Sequence, residues 1–281
     1  MWLVHFLPLG WQAALGNALG AALFWLIPER RRVTRINLAK CFPGMEEAER
    51  EALAAAHFRA FSRSFLERGL LWWAPRARVE RLIRVEGLEH LYALGGRPAI
   101  LFVPHFVGMD HAFTRLCCDL NMVGMYGQQT DKHLSALFYR GRTRFGDQRA
   151  HSRQEGVRPL IAGLRSGRPL YYLPDQDYGP RDALFVPFFG VQAATVPGLS
   201  RIARIGQARV LPCVPRMLPG GEGYVVTIEP AWEGFPTEDA LADTRRMNAY
   251  IERKALEMPE QYLWMHKRFK TRPAGEARFY E

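Results

Sequence analysis

The sequence predicts an α/β fold, a central, mostly parallel sheet flanked by helices, with an N-terminal hydrophobic membrane-attachment helix. Two observations carry the sheet and one carries the attachment. Short continuous apolar runs of strand length recur along the chain, and stretches with helical spacing separate most of them. With 48% hydrophobic and 23% charged residues over 281 positions, the chain has material for a substantial core. From Trp2 to Pro28 it carries no Asp, Glu, Lys or Arg.

That opening run is long enough to cross a bilayer, which takes about 20 apolar residues. His5, Pro8, Gly10, Gln12 and Asn17 interrupt it and suit an interfacial or re-entrant segment equally well. Arg30, Arg31, Arg32 and Arg35 come after the run instead of preceding it, which argues against a cleaved signal peptide. Arginines there hold the downstream chain on the cytoplasmic side. Residues 1–28 therefore read as a membrane-attachment segment and 29–281 as one domain, placed at the inner (cytoplasmic) membrane.

Residues 45–73 have few breakers, and Leu53, His57, Phe61, Phe65 and Leu70 recur at helical spacing before Pro75 closes the segment. After a linking segment, Ala99–Val103 is a continuous apolar run, as expected of a strand buried on both faces. Similar runs occur at "NMVGMYGQ", "RPLYYLPDQD", "ARVLPCVP" and "YVVTIEP". Helical stretches at about 134–145, 157–166, 197–205 and 240–258 lie between or after them. In open α/β sheets function gathers at the carboxyl ends of strands. The first residues to inspect are thus His105, after "AILFVP", and Asp175, after "LYYLP".

The net charge of +10 comes from 38 Lys+Arg against 28 Asp+Glu, and only five of the 38 are Lys. A genomic compositional bias accounts for such an arginine excess as readily as selection does. An anionic bilayer, a phosphorylated ligand or an acidic protein would each suit it. The basic residues are not interleaved with aromatics in any nucleic-acid module, so no nucleic-acid partner is expected. Cys41, Cys117, Cys118 and Cys213 show no metal-ligand spacing and read as small hydrophobes.

Three clusters carry candidate chemistry. "HFVGMD" sets Asp110 five residues after His105. Eight histidines among 28 acidic residues make about one such match expected by chance, so its position at a strand end gives it weight. On a regular helix the two side chains would diverge by about 140°, so a turn through "FVGM", permitted by Gly108, is needed to bring them together. A carboxylate on one imidazole nitrogen fixes the tautomer and supports the charge formed when the other nitrogen takes a proton, a general-base arrangement for activating a hydroxyl. The second cluster, Arg140, Arg142, Arg144 and Arg149, cannot all share one helical face, and at least one should turn toward a site. In the third, "LPDQDYGPRDALFVPFFG", Asp175 and Asp177 suit a metal, an arginine or a polar head group, and the aromatic run suits core or the wall of an acyl-chain tunnel. A metal-dependent hydrolase using His105, Asp110, His111, Asp175 and Asp177 is the competing chemistry. No G-x-S-x-G elbow is present.

Together with "RGRTRFG" and the closing "PEQYLWMHKRFKTRP", these elements resemble the bacterial lipid A late acyltransferases, the lauroyl/myristoyl branch of the lysophospholipid acyltransferase superfamily. The resemblance runs over most of the chain from "RRRVTRINLAKCFPG" onward. It implies an acyl carrier protein thioester as donor and a lipid A precursor as acceptor, the hydroxyl lying on an acyl chain of a phosphorylated disaccharide. It further implies His105 and Asp110 as the catalytic pair, Arg142 and then Arg144 near the substrate, and no cofactor or metal. Asp175 and Asp177 join the arginines as expected substrate-binding residues; the sequence does not name the oxyanion donors, for which backbone N–H groups near "FVGM" are candidates. Another glycolipid, a phospholipid or an aminolipid is the alternative acceptor.

Overall fold

Three helices open the chain: α1 (Leu9–Leu26), α2 (Pro28–Cys41) and α3 (Glu47–Trp73). Pro28 begins α2, where its missing N–H costs no helical bond. The computed structural model describes residues 1–127 and 131–281, apart from the side chains of residues 132 and 134. α1 lies along α3 at backbone contact distance: a Cβ at Gly16 would stand 2.4 Å from Arg63 Cα, and one at Gly20 would stand 2.5 Å from Arg59 Cα. Only glycine fits those two positions without separating the helices. Gln12, polar within the apolar run, is buried on this inner face and donates to the Leu7 carbonyl at 2.9 Å. The opposite face of α1 stays open, with Trp11 and Trp25 each 68% exposed beside exposed Leu15, Leu19 and Leu26. Among the described residues no helix is long and apolar enough to cross a membrane.

The stretch expected only to link holds α4 (Arg76–Leu82), β1 (Ile83–Glu86) and α5 (Leu88–Tyr92). Next come β2 (Ala99–Phe102), α6 (Met109–Leu116), β3 (Val123–Tyr126), α7 (Lys132–Arg142), β4 (Arg149–Ser152), α8 (Arg158–Arg165) and β5 (Leu170–Tyr172). β6 (Leu184–Phe188) and β7 (Val191–Thr195) form a separate antiparallel hairpin. α9 (Gly198–Gly206), β8 (Arg209–Met217), β9 (Tyr224–Ile228) and α10 (Ala240–Glu257) complete the chain's regular elements. Gln128, the last residue of "NMVGMYGQ", lies outside the described residues.

The seven-stranded sheet runs β1-β9-β8-β2-β5-β3-β4, and only the β8–β9 pair is antiparallel. This is the expected architecture. β2 sits at its centre, and all four of its residues are buried. Val103, Phe106, Leu160, Val210, Ile251 and Trp264 are among the side chains filling the space between sheet and helices. Fully burying an aliphatic side chain of this size contributes about 1.5–3 kcal/mol. The aromatic run "LFVPFF" is a hairpin strand and the first residue of its turn: Val186 and Phe188 point into the core, and Phe189, at the turn, packs on Trp264 at 6.0 Å. β4, "RAHS", lacks an apolar run because it is an edge strand with one partner. All four cysteines are buried and free.

His57 is wholly buried in α3, and its Nδ1–H donates to the Glu260 carbonyl at 3.0 Å. Burial pushes its ring from the ordinary 6.5 down to about 4. The unfolded chain protonates this ring below 6.5 while the folded chain holds it neutral, so its contribution is full above 6.5 and falls away as pH drops toward 4. Between pH 7 and 5 the stability lost through this ring should be about 2 kcal/mol. Denaturant titrations across that window should show stability rising with pH, with a shallower slope in His57→Leu; an equal slope in both proteins would remove His57 as the source.

Candidate active site

β2 and β5 are parallel neighbours in which Phe102 registers with Tyr172, an offset of 172 − 102 = 70 residues. Each continues through one apolar residue and a proline: Val103-Pro104-His105 on one strand, Leu173-Pro174-Asp175 on the other. Val103 N–H still donates to the Tyr172 carbonyl at 2.9 Å, and the prolines then end the ladder because they have no N–H to offer. Keeping the offset, 175 − 105 = 70, the next pair to meet is His105 and Asp175.

They meet twice. The His105 backbone N–H donates to Asp175 Oδ2 at 3.0 Å, and its Nδ1–H donates to Oδ1 at 2.6 Å. A carboxylate can only accept, so the proton belongs on Nδ1 and leaves Nε2 as the basic nitrogen. Asp175 is buried, and Tyr262 O–H adds a third bond to Oδ2 at 3.2 Å. Burial pushes this carboxyl up; the His105 ring, its backbone N–H and Arg268 outweigh that and hold it below its ordinary value. The backbone around His105 is fixed from the other side: Leu263 N–H donates to the His105 carbonyl, and Val107 N–H to the Gln261 carbonyl, both at 2.9 Å. Residues 261–263 thus form a short antiparallel clamp on residues 105–107, completed by the Phe106–Tyr262 bridge.

Asp110 is not the carboxylate on the His105 ring. The chain does turn at Val107–Gly108, with Met109 N–H donating to the Phe106 carbonyl at 3.0 Å, but the turn leads straight into α6 at Met109 and the Asp110 carboxylate goes to arginines instead of the ring. A Cβ at Gly108 would sit tightly, 3.0 Å from Pro215 Cβ. Asp110 is held by two arginines, Arg68 at 2.6 Å and Arg142 at 3.1 Å. Burial raises this carboxyl, but the two guanidinium charges prevail and hold it far below the usual range.

The other expected residues divide. Arg142 faces the cleft beside Asp110. Arg144 turns away and donates to the Leu71 and Ala74 carbonyls at 2.8 and 2.6 Å, closing the end of α3 where orphan carbonyls need donors. Asp177 is buried and accepts from Gly179 N–H, Thr271 N–H and Thr271 O–H at 2.9, 2.6 and 2.8 Å, pinning the C-terminal segment. His111 is buried against Tyr224, stacked at 3.9 Å. Among the described residues no three His, Cys, Asp or Glu side chains converge to hold a metal. Of the candidate oxyanion amides, those of Phe106, Val107 and Met109 already donate to the carbonyls of Pro104, Gln261 and Phe106.

His105, Asp110 and Arg142 line one cleft of about 520 Å³, walled by Tyr171 and Tyr172 and flanked by Arg153 and Arg181. The Arg153 guanidinium stacks over Tyr178 at 3.8 Å. His266 accepts from Asp177 N–H at 3.2 Å, and burial, then the His105 and Arg268 charges, push its ring down to about 4. Arg68, Arg153, Arg181, Tyr262 and His266 are not singled out by the sequence patterns. Tyr262 and His266 stand in the closing "PEQYLWMHKRFKTRP" motif, but no spacing links either to Asp175 or Asp177. Arg68 is one more arginine on a helix rich in them.

A family model described as bacterial lipid A biosynthesis acyltransferase matches residues 1–271. The lipid A biosynthesis lauroyltransferase of Escherichia coli K12 is 33% identical over 278 residues, covering 98% of this chain and 90% of the relative. The lipid A biosynthesis palmitoleoyltransferase of the same strain is 32% identical, covering 100% of this chain and 92% of the relative. The myristoyltransferase is 33% identical over 89% of this chain and 78% of the relative. Among solved structures, a 1-acyl-sn-glycerophosphate acyltransferase from Thermotoga maritima aligns with a TM-score of 0.40 at 15% identity, covering 86% of this chain and 96% of that one. On the strength of the sequence matches over nearly its whole length, the chain is an acyltransferase and belongs to the bacterial lipid A biosynthesis acyltransferase family.

Proposed function

We propose that this acyltransferase carries a fatty acyl chain from an acyl carrier protein thioester to a hydroxyl of a lipid A precursor, at the cytoplasmic face of the inner membrane. The observation that carries the chemistry is the His105 ring fixed through Nδ1 by a buried carboxylate, at the edge of a cleft. The relatives' names support the acceptor.

In the transfer, His105 Nε2 takes the proton of the acceptor hydroxyl as its oxygen bonds to the thioester carbonyl carbon. The C–S bond of the tetrahedral species then breaks, and the departing sulfur receives the proton from Nε2 and leaves as a thiol. Asp175 remains a carboxylate throughout and supports the transient imidazolium. Arg142, steadied by Asp110, offers the cleft a fork suited to an anionic group of the acceptor. The basic side chains of Arg153 and Arg181 at the same cleft suit an acidic carrier.

Membrane attachment is the reading that best accounts for the open face of α1. Five large apolar side chains line that face, and Arg31 lies over Trp25 at 4.9 Å, pairing an interfacial aromatic with a cation.

His105→Ala should cut transfer by about 10²–10⁴-fold with the circular-dichroism spectrum unchanged; a folded variant with near-normal turnover would falsify the assignment. Asp175→Asn should act on the same scale, chiefly on kcat. Asp110→Asn should also slow transfer, but through Arg142: its loss should be strongly non-additive with Arg142→Ala and additive with Asp175→Asn. The reverse pattern would return Asp110 to the His105 ring. On vesicles with anionic lipid, Trp11→Ser combined with Trp25→Ser should weaken binding, and retention at the wild-type level in high salt would put the attachment elsewhere.

A further inference from the structure

A second recess, of about 460 Å³, opens on the other side of the Asp110 ion pairs. Its walls are apolar and mostly aromatic, with Phe65, Trp72 and Trp73 from α3 facing Leu137 and Phe138 from α7. Trp72 and Phe138 meet edge to face at 5.0 Å. Trp72 can lie this close to α7 because residue 141 is glycine: a Cβ there would stand 2.2 Å from the indole ring. Met1 and Trp2 form part of the same lining, and next to them Leu3 and Phe6 are exposed at 73% and 62%. The recess therefore begins at the apolar N-terminal surface.

It ends at the catalytic cleft. Met109, Asp110 and Arg142 line both spaces, so the partition between them is the Arg68–Asp110–Arg142 ion-pair triad. The cations of that triad rest on the aromatic wall, Arg68 over Phe65 at 5.0 Å and over Phe138 at 5.4 Å, Arg142 over Phe138 at 5.6 Å. One carboxylate against two guanidinium groups leaves the partition with a net positive charge, on the side where a phosphorylated amphiphile would hold its polar part.

We propose that this recess receives the hydrocarbon tail of the acceptor, the part of its acyl chain beyond the reacting hydroxyl. The proposal rests on the acceptor being a lipid whose hydroxyl lies on an acyl chain. A tail arriving from the bilayer passes from lipid to the Trp2 surface to the aromatic walls without crossing water, and apolar surface stays buried along the way. The donor chain, tethered to a water-soluble carrier, approaches from the other side, where Arg153 and Arg181 flank the cleft. The two chains thus reach His105 from opposite faces of the triad.

Leu137 is half-buried on α7, so Leu137→Trp should fill the recess with little strain on the fold. With acceptors bearing short and long hydroxyacyl chains, the variant should lose about ten-fold or more in kcat/KM for the long chain relative to the short one, with its preference among donor chain lengths unchanged. A shift in donor preference instead would give the recess to the donor, and an equal response to every chain would show that it holds none; either result overturns the proposal. In the wild-type protein, an acceptor with a photoreactive diazirine at its tail end should label peptides containing residues 65–73 or 137–138, and labelling confined to the β5–β6 side would also overturn it. Wild-type protein that acylates no hydroxyacyl lipid at all would sink the functional reading itself, whereas normal turnover without a chain-length response sinks only the recess.

Discussion

The bond from the His105 ring to Asp175 depends on one constraint, the parallel register of β2 on β5. Because the offset between the strands is constant, a side chain three residues past the end of one meets its counterpart on the other. A carboxylate taken out of water in that position is costly unless its oxygens are paired. Here the pairing is supplied by the His105 ring, the His105 backbone N–H and Tyr262. Tyr262 in turn is held by its bridge to Phe106 and by packing on Phe188 and Trp264. The C-terminal segment after α10 is therefore part of the site's foundation, although it lies far from His105 in sequence.

α3 performs the second long-range connection. One side of it receives α1 at Gly16 and Gly20, and another offers Arg68 to Asp110. Between these, Arg63 and Glu67 form a buried ion pair at 2.8 Å, with Glu67 also accepting from Tyr224, and Ser64 donates to the Val107 carbonyl near His105. Burial raises the Glu67 carboxyl, with Arg63 and Tyr224 pulling the other way. A displacement of α1 along α3 would meet this polar array within one or two helical turns of the site. The N-terminal surface and the cleft at His105 are thus connected through one helix, α3.

Sequence patterning made the central sheet legible because β2, β5 and β8 are buried on both faces and must be continuously apolar. β4 and β1 were not legible: each is an edge strand with one partner, so "RAHS" and "IRVE" carry no such run. The same logic singled out His105 and Asp175 as the residues beyond two strand ends. What it lacked was the strand order, which makes β2 and β5 neighbours and so makes those two residues a pair. The i,i+5 spacing of His105 and Asp110 points to Asp110 as the ring's partner, where the structure has Asp175, because local separation is visible in a sequence and register across a sheet is not. The bonds of Arg144 to the end of α3 are invisible in sequence for a related reason: the need of α3 for donors there appears only when α7 is seen packing beside it.

Two carboxylates lie near one histidine, and their surroundings decide what each can do. Asp110 stands between Arg68 and Arg142, so its charge is already more than compensated and projects little field toward a third group. Its bonds also fix both arginines, and removing the carboxylate would free two cations at the partition between recess and cleft. Asp175 is bonded by a neutral phenol, a neutral backbone N–H and the imidazole itself. Arg268 acts on it as a weaker, more distant charge, its own bonds going to Ala194, Thr195 and Asn248. A proton arriving at His105 Nε2 therefore meets a negative charge that is held in place without being cancelled. In a buried setting, where charges interact more strongly than in water, that difference suits Asp175 to stabilise an imidazolium and leaves Asp110 to hold Arg68 and Arg142 in place.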